Sequence, residues 1–225
     1  MEIIEAIRAR HSVRAYTTQP IEPQLVERLN DLIHECNELG NLNMRLVTDE
    51  PDAFGKSFFA HYGKFSNVTN YIVMAGPPDD NLDQRIGYYG ERIVIEAQRM
   101  GLNTCWVALS YNKRLKHTKA RGKQEKVRCL ISIGHGATQG VSHKIKRPDQ
   151  VSNLKPDSPD WFRRGVAAAL LAPTAINQQK FYFQLMPDGT VSSRAKWGPY
   201  SRIDLGIVRY HFEAAAGKGH LRNEE

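Results

Sequence analysis

Cysteine is scarce in this chain: Cys36, Cys105 and Cys129 stand far apart among 225 residues, with no CxxC pair. That pattern excludes a disulfide framework and a thiolate zinc site, and it points to a reduced, cytoplasmic setting. No apolar run approaches membrane-spanning length, and Glu2 and Glu5 break up the first apolar stretch. Neither a membrane partner nor a secretory leader is therefore expected. The G-x-G-x-x-G dinucleotide fingerprint is missing. So is any Ser-His-Asp, metal-ligand or paired-carboxylate constellation. No catalytic side chain and no metal site are nominated.

What is present reads as an ordinary folded protein, with 41% hydrophobic and 24% charged residues. The length suits one large domain or two small intertwined ones. The net charge of +7 is a local property. Between Lys113 and Arg147 lie eleven Lys or Arg and a single acid, Glu125; elsewhere acids slightly outnumber bases. Few aromatics interleave these charges, so base stacking has little support and no nucleic-acid partner is expected. The stretch Lys113–Arg128 reads as an exposed, mobile connector.

The hydrophobic pattern alternates between helical and strand spacing. Ile3, Ile4 and Ile7 mark a short amphipathic helix. Pro23 opens a second helix whose apolar face carries Leu25, Leu29, Leu32, Ile33 and Cys36, with Gly40 as its stop. Strands are expected at 43–47, 71–75, 104–109, 127–133 and 181–186, the last leading into the turn Pro187-Asp188-Gly189. Longer helices are expected over 83–100, 161–172 and 203–216. Strict βαβ alternation does not occur, so the class is α+β.

The densest chemistry lies in Arg8-Ala9-Arg10-His11-Ser12-Val13-Arg14. Guanidinium groups bind phosphate bidentately, and the hydroxyl and imidazole add further donors. The heptad suits the phosphate end of a cofactor, but read by itself it is more readily a solvated basic turn.

A weak internal repeat runs through the chain. Shifting the second half back by 136 residues places Pro159 on Pro23, Arg164 on Arg28 and Asn177 on Asn41. A shift of 119 places Leu205-Gly206 on Ile86-Gly87 and Ala216 on Ala97. The order of elements favours a degenerate duplication. The expected halves are 1–150 and 151–225.

Arg-His-Ser-x-Arg after a first helix resembles the FMN-dependent nitroreductase family. Ala172-Pro173-Thr174-Ala175-Ile176-Asn177-Gln178-Gln179-Lys180-Phe181 is similar to that family's Ala-Pro-Ser-x-x-Asn-x-Gln-Pro-Trp signature. It departs from it at Lys180-Phe181 and in its late position. Gly101-Leu102-Asn103-Thr104-Cys105-Trp106-Val107 resembles the family's Gly-Leu-Gly-Ser-Cys-Trp-Ile segment, and Ile133-Gly134 followed by Lys144-Ile145-Lys146-Arg147-Pro148 its basic ending.

The resemblance implies FMN as cofactor, held at its phosphate and ribityl chain by Arg10, His11, Ser12 and Arg14. It places Lys64 near the pyrimidine carbonyl and Ala108 and Leu109 beside the ring. Lys144, Lys146 and Arg147 become candidates for the phosphate. Pro173, Thr174, Ala175 and Asn177 take the role that a partner subunit plays in the family. The implied fold is two degenerate repeats packed as a pseudo-dimer, with antiparallel or mixed sheets flanked by helices. One flavin site would be completed within one chain, any dimer being secondary. The implied activity is transfer of reducing equivalents from NAD(P)H to nitroaromatic, quinone or similar planar acceptors. The alternative is a flavin-binding carrier or regulatory protein of the same fold without turnover.

Overall fold

The computed structural model describes residues 1–55 and 65–222. The chain divides into two compact units that each draw on distant stretches of sequence. One comprises Arg10–Leu82 and Ile93–Ser142, the other Met1–Ala9, Asp83–Arg92 and His143–Glu225. The fold is α+β, with helices beside antiparallel sheet.

The first unit is built on a four-stranded sheet. Its strands are β1 (Arg45–Val47), β2 (Tyr71–Gly76), β3 (Asn103–Val107) and β4 (Lys126–Gly134), in the order β1-β2-β4-β3 and antiparallel throughout. Every residue of β2 is buried, which is why Tyr71-Ile72-Val73-Met74-Ala75 reads as a continuous apolar run rather than an alternating one. Helix α2 (Pro23–Gly40) buries Leu29, Ile33 and Cys36. The Asn37 amide ties the end of α2 to the start of β1, donating to Met44 O at 2.9 Å and accepting from Met44 N at 2.8 Å. A short helix α3 (Asp52–Gly55) contributes Phe54 to a core with Val13, Tyr16, Tyr71, Val73, Tyr111 and Leu130.

The basic stretch of this unit is pinned rather than loose. Arg45 reaches Glu125 at 2.9 Å and also donates to His117 O and Lys119 O. Thr118 is buried and its hydroxyl donates to Asn112 O at 2.7 Å, while Leu115 packs on the core. The stretch Lys113–Arg128, expected as an exposed, mobile connector, is exposed at most of its positions, and its single carboxylate, Glu125, ties it to Arg45.

The second unit contains α1 (Ile3–Ala9), the first part of α4 (Leu82–Arg99), α5 (Pro148–Val151), α6 (Asp160–Ala169) and α7 (Ser201–Ala216). It also holds a two-stranded antiparallel sheet, β5 (Phe181–Leu185) with β6 (Val191–Ala195). Phe162, Phe183 and Phe212 pack with ring centroids 5.9 and 4.7 Å apart, and Gly165 makes room for the Phe212 ring. Inside this core His211 and Glu91 are fully buried and joined at 2.8 Å, the other imidazole nitrogen facing Ala168 O at 3.1 Å.

Two expectations shift. The helix before Pro173 ends at Ala169, and Leu170–Ala172 unwind ahead of the proline, whose ring disfavours helical backbone in the residue before it. Strand β6 is an addition to the expected set. Among the described residues no helix is long and apolar enough to cross a membrane.

Candidate functional site

In the first unit, Arg10–Arg14 lies along the edge of β3. Ser12 forms a parallel bridge with Thr104, and Val13 N donates to Thr104 O at 3.0 Å. This extended backbone turns alternate side chains to opposite sides. Val13 enters the core and Tyr16 follows, its hydroxyl meeting Val13 O at 2.9 Å and Ser132 Oγ at 2.8 Å.

Arg10, Ser12 and Arg14 gather around Cys105 of β3. Burial pushes the Cys105 thiol up, while the Arg14 charge, the Ser12 hydroxyl and the Arg10 charge draw it down. The arginine and serine of the motif thus converge on the segment that carried the Gly-Leu-x-x-Cys-Trp resemblance. Arg10 is 2% exposed. Two guanidinium groups and a hydroxyl on one short segment form a donor set of the kind that fits a phosphate. Gly140 packs closely against this segment. It adopts φ +70°, and a Cβ there would lie 2.8 Å from His11 Cβ and 3.1 Å from Ser12 O. Ala108 and Leu109 leave the end of β3 in a bend, with Leu109 61% exposed. Lys64 lies outside the described residues.

In the second unit, Pro173–Gln179 forms a tight turn around a 3₁₀ segment, Ala175–Asn177. Ile176, Asn177 and Gln179 all take positive φ, at 47°, 55° and 46°. A β-branched residue in that region is strained, so the surroundings must hold the turn. They do so from two sides. Asn177 Nδ2 and Gln179 Nε2 donate to Lys144 O at 2.9 and 2.8 Å, and Lys146 N donates to Gln179 Oε1 at 2.8 Å. From the other side, the Asp204 carboxylate accepts from Ala175 N at 2.9 Å and from Gln178 Nε2 at 2.7 Å. Thr174 Oγ1 accepts from Gln179 N at 3.0 Å and closes the loop on itself.

The three basic candidates of this unit behave differently from one another. Lys144 serves the turn through its carbonyl. Lys146 Nζ donates to Gln178 O at 2.8 Å and Gln179 O at 3.0 Å. Arg147 is exposed and engages both oxygens of Asp149, at 3.1 and 2.9 Å. The structure thus brings Arg10, Ser12 and Arg14 together in one unit, and Lys144, Lys146, Thr174, Ala175 and Asn177 together in the other.

Residues 2–216 match the model of a family described as "Putative TM nitroreductase". The chain belongs to this nitroreductase family. A nitroreductase structure from Thermotoga maritima is 20% identical, with a TM-score of 0.67 over 96% of this chain and 83% of that one. A nitroreductase family protein from Streptococcus pneumoniae is 9% identical, with a TM-score of 0.56 over 68% of this chain and 100% of that one. A protein described as an FMN-dependent nitroreductase from Clostridium difficile is 19% identical, with a TM-score of 0.46 over 60% and 88% of the two chains. No curated protein matches.

Asp204, Gln178 and Gln179 support the candidate site segments of this nitroreductase-family chain and escaped the sequence reading. Asp204 lies between Ile203 and Leu205 on a helix, where an acid ordinarily marks the solvent face. Instead it is 2% exposed, and burial lifts its carboxyl to about 6 against the pull of its two donors. The available signal for Gln178-Gln179 was membership of the matched motif itself. None of the three cysteines is in a disulfide and all are buried, which suits packing rather than nucleophilic chemistry.

Proposed function

We propose that this nitroreductase-family protein is an FMN-dependent oxidoreductase that passes reducing equivalents from NAD(P)H to nitroaromatic, quinone or similar planar acceptors, in the cytoplasm. The observation that carries the reading is the convergence of Arg10, Ser12 and Arg14 on Cys105, with Arg10 buried beside a sheet edge. A phosphate with close to two negative charges matches that donor set. Arg10 and Arg14 supply charge, and Ser12 supplies a neutral donor.

FMN supplies the redox chemistry when bound, exchanging reducing equivalents with the nicotinamide and then with the acceptor. The protein's tasks are to bind, to orient and to present backbone donors to the ring. Ala108 and Leu109 at the exit of β3, and Thr174, Ala175 and Asn177 in the strained turn, are assigned to the ring edge and ribityl chain. Lys144, Lys146 and Arg147 are further candidates for the phosphate. No side-chain acid or base is required, and none is nominated.

Both flavin-type segments occur in one chain, so one FMN per chain is expected. Purified protein should be yellow, release FMN on denaturation, and lose its visible absorbance when NADPH or NADH is added without oxygen. A colourless protein that also fails to take up FMN removes the reading. Bound flavin that neither nicotinamide bleaches replaces the enzyme with a carrier of the same fold.

A further inference from the structure

The hairpin β5–β6 turns one face inward and one outward. Phe181 and Phe183 are buried, whereas Tyr182 points out and pairs across the ladder with Arg194. One step beyond the register pair Phe181↔Ala195, Lys196 N donates to Lys180 O at 2.8 Å. Lys180 and Lys196 therefore oppose each other on neighbouring strands, an arrangement of like charges that destabilises a sheet. Lys146 brings a third ammonium from a separate stretch. Burial and the charges of Lys196 and Lys180 all push its pKa down.

These ammonium groups are also tethered. Lys146 Nζ sits on the carbonyls of Gln178 and Gln179, and Lys196 Nζ on Gln150 O at 3.0 Å. Lys180 Nζ lies 5.5 Å from the centre of the Trp197 ring. Among the described residues no carboxylate forms an ion pair with any of the three. Beside Lys180 stands Trp197, which is 92% exposed. Gly198 follows it, and a Cβ there would press on Lys180 Nζ at 3.2 Å.

Three fixed cations without a counter-charge call for a compact dianion, and a bare indole calls for a flat ring. A phosphorylated adenosine carries both in one molecule. We propose that Lys146, Lys180, Lys196 and Trp197 form a site for the 2′-phosphoadenosine end of NADPH, so that the protein prefers NADPH to NADH. The proposal deepens the nicotinamide-dependent reading above and rests on it. It gives Lys146 a role at the donor's phosphate, where the family resemblance pointed to the flavin's.

The test uses the full-length protein saturated with FMN, titrated with adenosine 2′,5′-bisphosphate and, separately, with AMP, while tryptophan fluorescence is followed. The bisphosphate is expected to bind at least tenfold more tightly than AMP, the scale of one charge-assisted contact of about 1.5 kcal/mol. Trp197→Phe should abolish the fluorescence response. Lys180→Ala/Lys196→Ala, one side chain half-buried and the other exposed, should remove the discrimination while circular dichroism confirms the fold. Equal affinity for the two nucleotides overturns the site, as does discrimination that survives the double substitution. Tighter binding of a single-stranded oligonucleotide than of the bisphosphate would mean a nucleic-acid surface instead. The two readings fail separately. Discrimination without FMN uptake sinks the flavoprotein and keeps this site, whereas FMN uptake without discrimination does the reverse.

Discussion

Gly87 and Gly206 meet reciprocally where α4 crosses α7. A Cβ on Gly87 would lie 2.0 Å from Ile203 O and 3.0 Å from Gly206 Cα; a Cβ on Gly206 would lie 2.0 Å from Gln84 O and 2.9 Å from Gly87 Cα. Each glycine faces the carbonyl three residues before the other. The two positions lie 119 apart, the shift that places Leu205-Gly206 on Ile86-Gly87 in the sequence.

Alanine at either glycine should therefore be costly. Backbone atoms stand in the way, and overpacking of this kind costs about 3 kcal/mol or more. For a chain of this size that is a fall in Tm of roughly 6–12 °C. A Gly87→Ala protein that melts with the wild type would mean that the helices do not cross this closely.

Asp204 should impose a pH dependence on stability. Its carboxyl is raised to about 6 from an ordinary 3.8, so the folded protein holds this proton more tightly than the unfolded chain does. That contribution is fully present below about pH 4 and fades as pH rises through about 6. The two-unit difference corresponds to about 3 kcal/mol at most. Urea unfolding of wild type and Asp204→Asn at pH 4 and pH 7 reads this directly. The variant should gain on the wild type as pH rises, and identical pH slopes would refute the assignment.

Arg10→Ala and Gly140→Ala should both weaken FMN binding, by different routes. The first deletes a charge-assisted phosphate contact of about 1.5–3 kcal/mol, a roughly ten- to hundredfold loss of affinity. The second forces a side chain into a positive-φ position against His11 and Ser12. Fluorescence titration of flavin into each protein checks both, and unchanged affinity in Arg10→Ala rejects the phosphate assignment.

Glu125→Gln should release the basic stretch. Arg45 and Glu125 side chains are 10% and 5% exposed, and removing one partner of a buried pair costs about 3–5 kcal/mol. Trypsin should then cut within residues 113–128 faster than in the wild type. Equal cleavage rates would show that other contacts hold the segment.

The elements that spacing alone revealed are those whose burial follows their own periodicity: α2, α4, α7 and the fully buried β2. Strand β6 escaped because Val191-Ser192-Ser193-Arg194-Ala195 has small polar residues where a strand usually shows branched apolar ones. It pairs because β5 and the turn at Asp188-Gly189 present it with a partner. At the candidate site, residue types were legible and their supports were not. Arg10, Ser12 and Asn177 stand out as chemistry. The carbonyl of Lys144, the amides of Gln178 and Gln179 and the carboxylate of Asp204 act through distances that no short window of sequence contains.

The turn at Ile176–Gln179 has a consequence for the order in which the molecule assembles. Its left-handed residues resist it locally, and its hydrogen-bond partners come from Lys144–Lys146 upstream and Asp204 downstream. It cannot persist until both of those stretches are in place, so it belongs to the last events of folding. A ligand that needs this turn would then bind only after the rest of that unit is complete, so its uptake would report the unit's maturation.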